Sequence, residues 1–507
     1  MKPTPIILGI ALAGALGQAR SESWNQFRGP NGSGVANDAG PPVEPDPARL
    51  AWKTALPPGL SSPVLSDGRV FLTGLAKGRL VTIALDKATG EIVWQNQAPK
   101  VELEKVHEAS HPAAPSALVS GDRIFAYFGS YGLLCYGLDG RERWKKPIPT
   151  PRTLYGMSTS PIAHGDLVIL VLDNDANLSG SRLSQSKIVA FNQADGNVAW
   201  EIPRPFHRSG WSTPVIWNHD RGTELVVLGN GRVSGYDMES GTQKWFVPGF
   251  SRETISTLVA GENILFASSS KLGGGADIRV DPLPFWEAVI RFDQNGDGKI
   301  ERKEMTGHFT FPIRPELPPG HPGFGIPLPD DKRRRQERLD GIFRGTDRNR
   351  DGFWSREEFI GNMRGGRGKP LLIAIRPGGR GDITDTHLKW ELNRGIPEIP
   401  SPLLYDNLVY MVRNGGLLSA VDADNGKLLY RERLNAPGQY SASPVAANGH
   451  VYLASNRGVI TVVKADRRFE IAHQNDLNDP VFATPAIDKN TLYVRTEKTL
   501  RAFRSGK

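Results

Sequence analysis

Cysteine is almost missing from this chain: Cys135 is the one cysteine in 507 residues. An internal disulfide is therefore excluded, and so is a haem held through C-x-x-C-H. Stability has to come from burial. Long apolar runs are scarce as well. Beyond the first sixteen residues no stretch reaches the ~18 apolar residues of a spanning helix. Low-complexity tracts are absent too, because Gly 56 and Pro 39 are scattered and mark frequent turns. An acidic excess is lacking: Lys+Arg 62 against Asp+Glu 54 gives a formal charge of +8. The basic cluster at Lys332, Arg333, Arg334 and Arg335 is interrupted by Glu337 and Asp340. It reads as the solvated face of a helix, and nucleic acid is not an expected partner.

The first residues carry an address. Lys2 is followed by an apolar run from Ile6 to Leu16 and by Gly17-Gln18-Ala19, a small-x-small cleavage pattern. A signal peptide over residues 1–19 is expected, with a periplasmic or secreted product. No cysteine follows the run, so no lipid anchor is expected.

One pattern recurs along the rest. A Ser/Thr-Pro-apolar step leads into an alternating strand, a second strand, an Asp-x-x-x-Gly type turn, and an aromatic residue four positions later. SSPVLSDGRVFLTG followed by LVTIALDKATGEIVW is one copy and ends at Trp94. The turn glycines Gly90, Gly140, Gly196 and Gly241 are spaced 50, 56 and 45 residues apart. A unit of several strands at that period indicates a β-propeller. Val70, Leu72, Val81 and Ile83 alternate as buried strand faces should. Of the eleven tryptophans, residues 52, 94, 144, 200, 245 and 390 fall at the aromatic place and are expected to wedge between blades. Openings occur at Pro63, Pro115, Pro161, Pro214, Pro402, Pro444 and Pro485, and one without proline at Leu258. The last unit, ending at Phe503, lacks an outer strand, which residues 50–54 can supply. Eight blades and a ring closed by its two chain ends follow.

These repeats resemble the pyrroloquinoline-quinone-type propeller repeat of quinoprotein alcohol dehydrogenases and of the outer-membrane assembly factor BamB. The stretches WNQFRGPNGSGVA, YFGSYGLLCYGLDGRERW and SPIAHGDLVILVLD are similar to exported quinoprotein-like propellers. The resemblance implies a quinoprotein-like fold, so an all-β, eight-bladed quinoprotein-like β-propeller is expected, interrupted in blade five by a segment that is expected to be a small α-helical EF-hand insertion. The expected division is propeller over 20–277, insertion over 278–368, and propeller again over 369–507.

The insertion holds the strongest chemical signal. DQNGDGKIERKE (293–304) and DRNRDGFWSREE (347–358) put oxygen-bearing groups where a twelve-residue loop presents them to Ca²⁺. The first offers Asp293, Asn295, Asp297, the carbonyl of Lys299 and a bidentate Glu304, with Glu301 acting through water. The second offers Asp347, Asn349, Asp351, the carbonyl of Phe353 and Glu358, with Ser355 at the ninth position. Gly298 and Gly352 sit at the bends. Ile300 and Trp354 hold the position through which sister loops pair, and Trp354 replaces the usual aliphatic. Trp286, Val289, Ile290, Leu339, Ile342, Phe343, Phe359, Ile360 and Met363 supply apolar helical flanks. Two calcium sites are expected.

HEASH (107–111) matches the zincin pattern H-E-x-x-H. Pro112 disfavours a helix there, and these residues are expected to line the mouth of the central funnel. No catalytic constellation is evident. Quinoprotein dehydrogenases carry adjacent cysteines over their quinone, and the lone Cys135 cannot reproduce them. The expected role is a monomeric, exported, calcium-binding scaffold for a protein partner in the cell envelope. The alternative is a pyrroloquinoline-quinone-dependent oxidoreductase of alcohols or sugars.

Overall fold

The computed structural model describes residues 24–66, 68–175, 185–204, 207–270, 283–306, 309–312, 319, 328–347, 349–362 and 370–506. The expected signal peptide and Met363 lie outside them. Eight antiparallel sheets of four strands follow one another around an axis, and the fourth carries one additional parallel strand. The first blade runs Val64–Ser66, Arg69–Ala76, Arg79–Asp86 and Ile92–Gln97, from the axis outward.

The two middle strands of each blade are apolar on both faces, because each face lies against a neighbouring blade. In blade one, Val70, Leu72, Val81 and Ile83 share a core with the eighth blade's Leu492 and Val494. The intervening Phe71 and Ala84 share another with blade two's Ile124 and Leu134. Period-two alternation thus feeds successive grooves. Only the outer strands show an exposed face.

Leu50–Ala55 pairs antiparallel with Thr499–Arg504, with Trp52 opposite Ala502. The ring is therefore closed as the repeat pattern predicts. Its indoles act through a specific contact. Trp94 donates from Nε1 to the Leu138 carbonyl at 3.0 Å, Trp144 to Gln193 at 2.9 Å, and Trp390 to Ala423 at 3.0 Å. Each ring lies against the turn glycine of the next blade. At Gly140 an added Cβ would stand 2.8 Å from Trp94.

Two details differ from the repeat reading. In blade two the step is Ser116-Ala117-Leu118, in line with Ser160-Pro161-Ile162; Pro115 lies two residues too early. Trp245 makes its indole hydrogen bond within its own blade. Its Nε1 donates to buried Glu224 at 2.7 Å, and its ring lies so close to Gly235 that a Cβ there would stand 2.2 Å from it. In place of the Asp-x-x-x-Gly turn, the fifth blade has residues 376–387. Gly381–Asp382 from this stretch pairs parallel with Trp245 and Phe246.

Blade five is ordered Val259–Ala260, Leu265–Ser269, Leu371–Ile375 and Leu388–Leu392. Between its second and third strands the chain leaves the sheet and forms α1 (Leu283–Val289), α2 (Lys332–Thr346) and α3 (Arg356–Asn362). Asp331 caps α2 by accepting from Arg334 N at 2.9 Å. Lys332, Arg333 and Arg334 are exposed on it. Phe285, Trp286, Val289, Ile300, Leu339, Phe343, Trp354 and Phe359 make one core, and among the described residues no blade residue belongs to it.

A separate core predicts separate folding. Replacing residues 278–368 by a short Gly/Ser linker is expected to leave a soluble, β-rich ring, since loop length changes closure entropy only slowly. Circular dichroism and a melting curve beside the parent check this. An insoluble or unfolded variant would show that the ring needs the insertion.

Candidate functional site

The Ser/Thr of each opening step does more than start a strand. Ser62 N donates to Ser116 Oγ at 2.9 Å, Ser116 N to Ser160 Oγ at 3.0 Å, and Ser160 N to Thr213 Oγ1 at 3.2 Å. Thr257 N donates to Ser401 Oγ at 2.8 Å, Ser401 N to Ser443 Oγ at 2.9 Å, and Ser443 N to Thr484 Oγ1 at 3.0 Å. Thr484 N returns to Ser62 Oγ at 3.0 Å. The result is a belt of buried hydroxyls around the axis, stitching blade to blade. The repeat of Ser/Thr at this step was its signal in the sequence.

One end of the axis is closed by the segment that precedes the first blade. Trp24 O accepts from Leu65 N at 2.7 Å and Asn25 O from Val119 N at 2.7 Å. Asn31 Oδ1 accepts from Ile216 N at 2.9 Å, and Ala36 N donates to Ala446 O at 3.0 Å. These reach blades one, two, four and seven. Arg28 is fully buried and donates to Pro402 O of blade six at 2.7 Å; burial pulls its pKa down to about 9. The segment covers inner strands that are mostly only three residues long and would otherwise present open edges.

Above this plug lies a cup of about 370 Å³. Phe27 belongs to its floor and the hydroxyl belt to its wall. Higher up it is lined by His107, Tyr155, Trp211, Glu253 and Phe482. His107 thus lies where the sequence placed it, on irregular chain, and HEASH is no helix. His111 is turned back on its own backbone, Nδ1 accepting from Ala113 N at 3.0 Å. Trp211 is fixed by its Nε1 bond to Gly156 O at 2.9 Å. Its segment is anchored by Arg204, which pairs with buried Asp173 at 2.7 Å and lies 3.1 Å from His207 Nδ1.

Glu104 holds the loop that carries His107. Its Oε2 accepts from Met157 N at 3.2 Å, while its Oε1 is buried without a hydrogen-bond partner. Burial pushes its pKa up to about 7. The folded state thus keeps a proton that the unfolded state has shed above about 4.5. This group's contribution is complete below that value and is lost as pH rises through about 7. Glu104→Gln, which stays neutral, is expected to raise the melting temperature more at pH 8.5 than at pH 5.5. A difference independent of pH would refute the assignment.

A pyrroloquinoline quinone does not fit the cup. It carries three carboxylates, and burying them calls for cationic partners. Among the described residues no lysine or arginine lines the cup. Cys135 lies buried inside blade two among Phe125 and Leu170, and burial pushes its thiol up to about 12.

The two loops of the insertion lie side by side. Ile300 pairs with Trp354 and Glu301 with Phe353 in a short antiparallel ladder. Trp354 does not prevent this: its indole stacks on Phe343 at 5.6 Å and donates to the Phe343 carbonyl at 3.0 Å. In the first loop, Asp293 accepts from Gly296 N and Gly298 N, at 2.7 and 2.9 Å. Asn295 accepts from Asp297 N at 2.9 Å, and Asp297 from Lys299 N at 2.9 Å. Buried Glu304 reaches back to Gln294 N at 2.9 Å and Glu301 N at 2.8 Å. The second loop repeats the arrangement: Asp347 accepts from Asp351 N and Gly352 N, Asn349 from Asp351 N, and Glu358 from Ser355 N. Carboxylate oxygens of Asp347, Asp351 and Glu358 come within 4.8 Å of one another. Among the described residues, the carboxylates of the first loop are not gathered in this way. Lys299 and Phe353 also meet through side chains, Nζ lying 3.6 Å from the ring centroid.

Ring, belt and cup define a class, the eight-bladed quinoprotein-like β-propeller. The family described as outer membrane protein assembly factor BamB matches residues 42–174 and 382–504, just over half of the chain. The chain belongs to that family. Among solved structures, BamB from Moraxella catarrhalis is similar at 11% identity and a TM-score of 0.51, covering 90% of this chain and 98% of its own. The quinohemoprotein alcohol dehydrogenase ADHIIG from Pseudomonas putida HK5 is similar at 12% identity and a TM-score of 0.51, covering 96% and 81%. The computationally designed Ika8 protein is similar at 10% and 0.50, covering 89% and 98%. At such identities these likenesses show the fold alone.

Proposed function

We propose that this chain is a calcium-binding propeller of the cell envelope that serves as a scaffold for a protein partner. The observation that carries the calcium reading is the approach of Asp347, Asp351 and Glu358 within a loop whose backbone N–H groups already orient the acidic side chains. Oxygen ligands at that spacing suit a hard cation of flexible coordination. The paired first loop supports it. The scaffold reading draws on the family, whose description is an assembly factor of the outer membrane. Among the described residues no helix is long and apolar enough to cross a membrane. Calorimetry on chelator-treated protein is the test. Calcium is expected to bind in the ~10⁻⁵–10⁻³ M range of extracellular modules and weaker sensor loops. No heat of binding would remove the calcium reading.

That no described residue lining the cup is cationic makes a second expectation. Protein incubated with pyrroloquinoline quinone and calcium should reduce no dye when given common alcohols or glucose. Robust turnover would replace the scaffold with an oxidoreductase.

A further inference from the structure

The upper wall of the cup sets aromatic rings beside a carboxylate. Tyr155 gives its hydroxyl proton to Glu253 Oε2 at 3.2 Å. Trp211 gives its indole proton to Gly156 O. What each still offers a ligand is the face of its ring. The rings adjoin: His107 and Tyr155 have centroids 5.0 Å apart at 86°, and Tyr155 and Trp211 have centroids 5.0 Å apart at 57°. Glu253 stands at the edge of this cluster. Among the described residues it is the one acidic residue in the lining, and no lysine or arginine lines the cup with it, although Arg252, its chain neighbour, is near enough to act on Tyr155. Below, the belt residues other than Thr257 line the same space, each of their oxygens accepting from a neighbouring blade.

We propose that the cup binds an organic cation, an alkylammonium or quaternary ammonium group, with Glu253 as counter-charge and the rings of Tyr155 and Trp211 as walls. Ring faces attract such a cation through their quadrupoles, and the attraction grows when water is excluded. A carboxylate in a partly enclosed site gains from a partner of opposite sign. The cup's size lies within the range of small-molecule sites. Phe482 of the lining is an exposed apolar side chain, which suits the alkyl part of such a ligand. The site is independent of the calcium loops, so it stands or falls apart from them.

The experiment is a titration of the full chain, followed by tryptophan fluorescence and calorimetry, with choline, N-acetyl-lysine N-methylamide, and 3,3-dimethylbutan-1-ol. The last has the shape of choline without the charge. The expected result is that a cation binds at least about tenfold more tightly than the neutral isostere, and that Glu253→Gln removes this preference. Tyr155→Phe keeps the ring and should keep binding, which guards against a misfolded variant. Tighter binding of choline points to a free quaternary amine; tighter binding of the lysine derivative points to a peptide side chain. Equal binding of choline and its isostere, binding of neither cation, or a Glu253→Gln protein that still prefers the cation overturns the proposal.

Discussion

Changing Glu304 and Glu358 together to glutamine is expected to abolish calcium binding measured by calorimetry. Each is the twelfth residue of its loop and the one group able to give two oxygens to the ion. Each also accepts backbone N–H bonds from its own loop, Glu304 from Gln294 and Glu301, Glu358 from Ser355. Glutamine keeps one acceptor and loses the charge, so the loop shape should survive while the affinity does not. The single changes are expected to separate the sites, with Glu358→Gln removing the one whose carboxylates already converge. Each loss should be about a hundredfold or more, several kcal/mol on the affinity scale. A double variant that still binds as the parent does would mean that these loops are polar turns and nothing more.

Gly90→Ala is expected to be costly out of proportion to one methyl group. Gly90 has φ 78°, and a Cβ there would stand 2.4 Å from the Trp52 ring and 2.8 Å from Thr54 Oγ1. Trp52 and Thr54 belong to the strand that closes the ring, and Thr54 Oγ1 itself donates to Gly90 O at 2.6 Å. Left-handed strain and overpacking together cost about 2–5 kcal/mol. The loss should show as a lower urea midpoint and as earlier proteolytic cleavage between residues 36 and 56. Gly68, also at positive φ (79°) but with open space around it, is the control: alanine there should cost only the conformational part. A Gly90→Ala protein as stable as Gly68→Ala would remove the docking explanation.

The ring was legible in the sequence because its rules are local. Strand alternation, turn glycines and tryptophans each recur within one unit. Even the closure could be inferred, since the last unit ended at Phe503 without an outer strand. What escaped depends on neighbours. The place of Ser116 shows only when its hydroxyl meets the N–H of Ser62; by pattern alone, Pro115 looks like the step. Trp245 carries the right spacing, and what turns it aside is a missing turn more than a hundred residues later. Pairing of the two loops was obscured by Trp354, whose size looked awkward until Phe343 and Phe359 surrounded it. The cup was least legible. Glu253, Tyr155 and Trp211 share no motif, and their meeting follows from the curvature of the ring. The calcium loops were the opposite case, since all the liganding groups of one loop lie within twelve residues.

The segment that blocks the axis also sets an order in time. Residues near the start of the chain hold residues near its end: Ser505 Oγ donates to Gly40 O, 465 positions away, and Arg495 donates to Ser61 O, 434 positions away. A ribosome makes the first partner long before the second. Until the later blades exist, Arg28 lacks its Pro402 partner and Trp52 lacks the strand beside which it packs. Completion has to wait for the last strand, and such distant pairing is slow. A nascent chain stalled before residue 499 should therefore keep its first thirty or so structured residues open to protease or to a chaperone. Release of the full length should shut that window in a single late step.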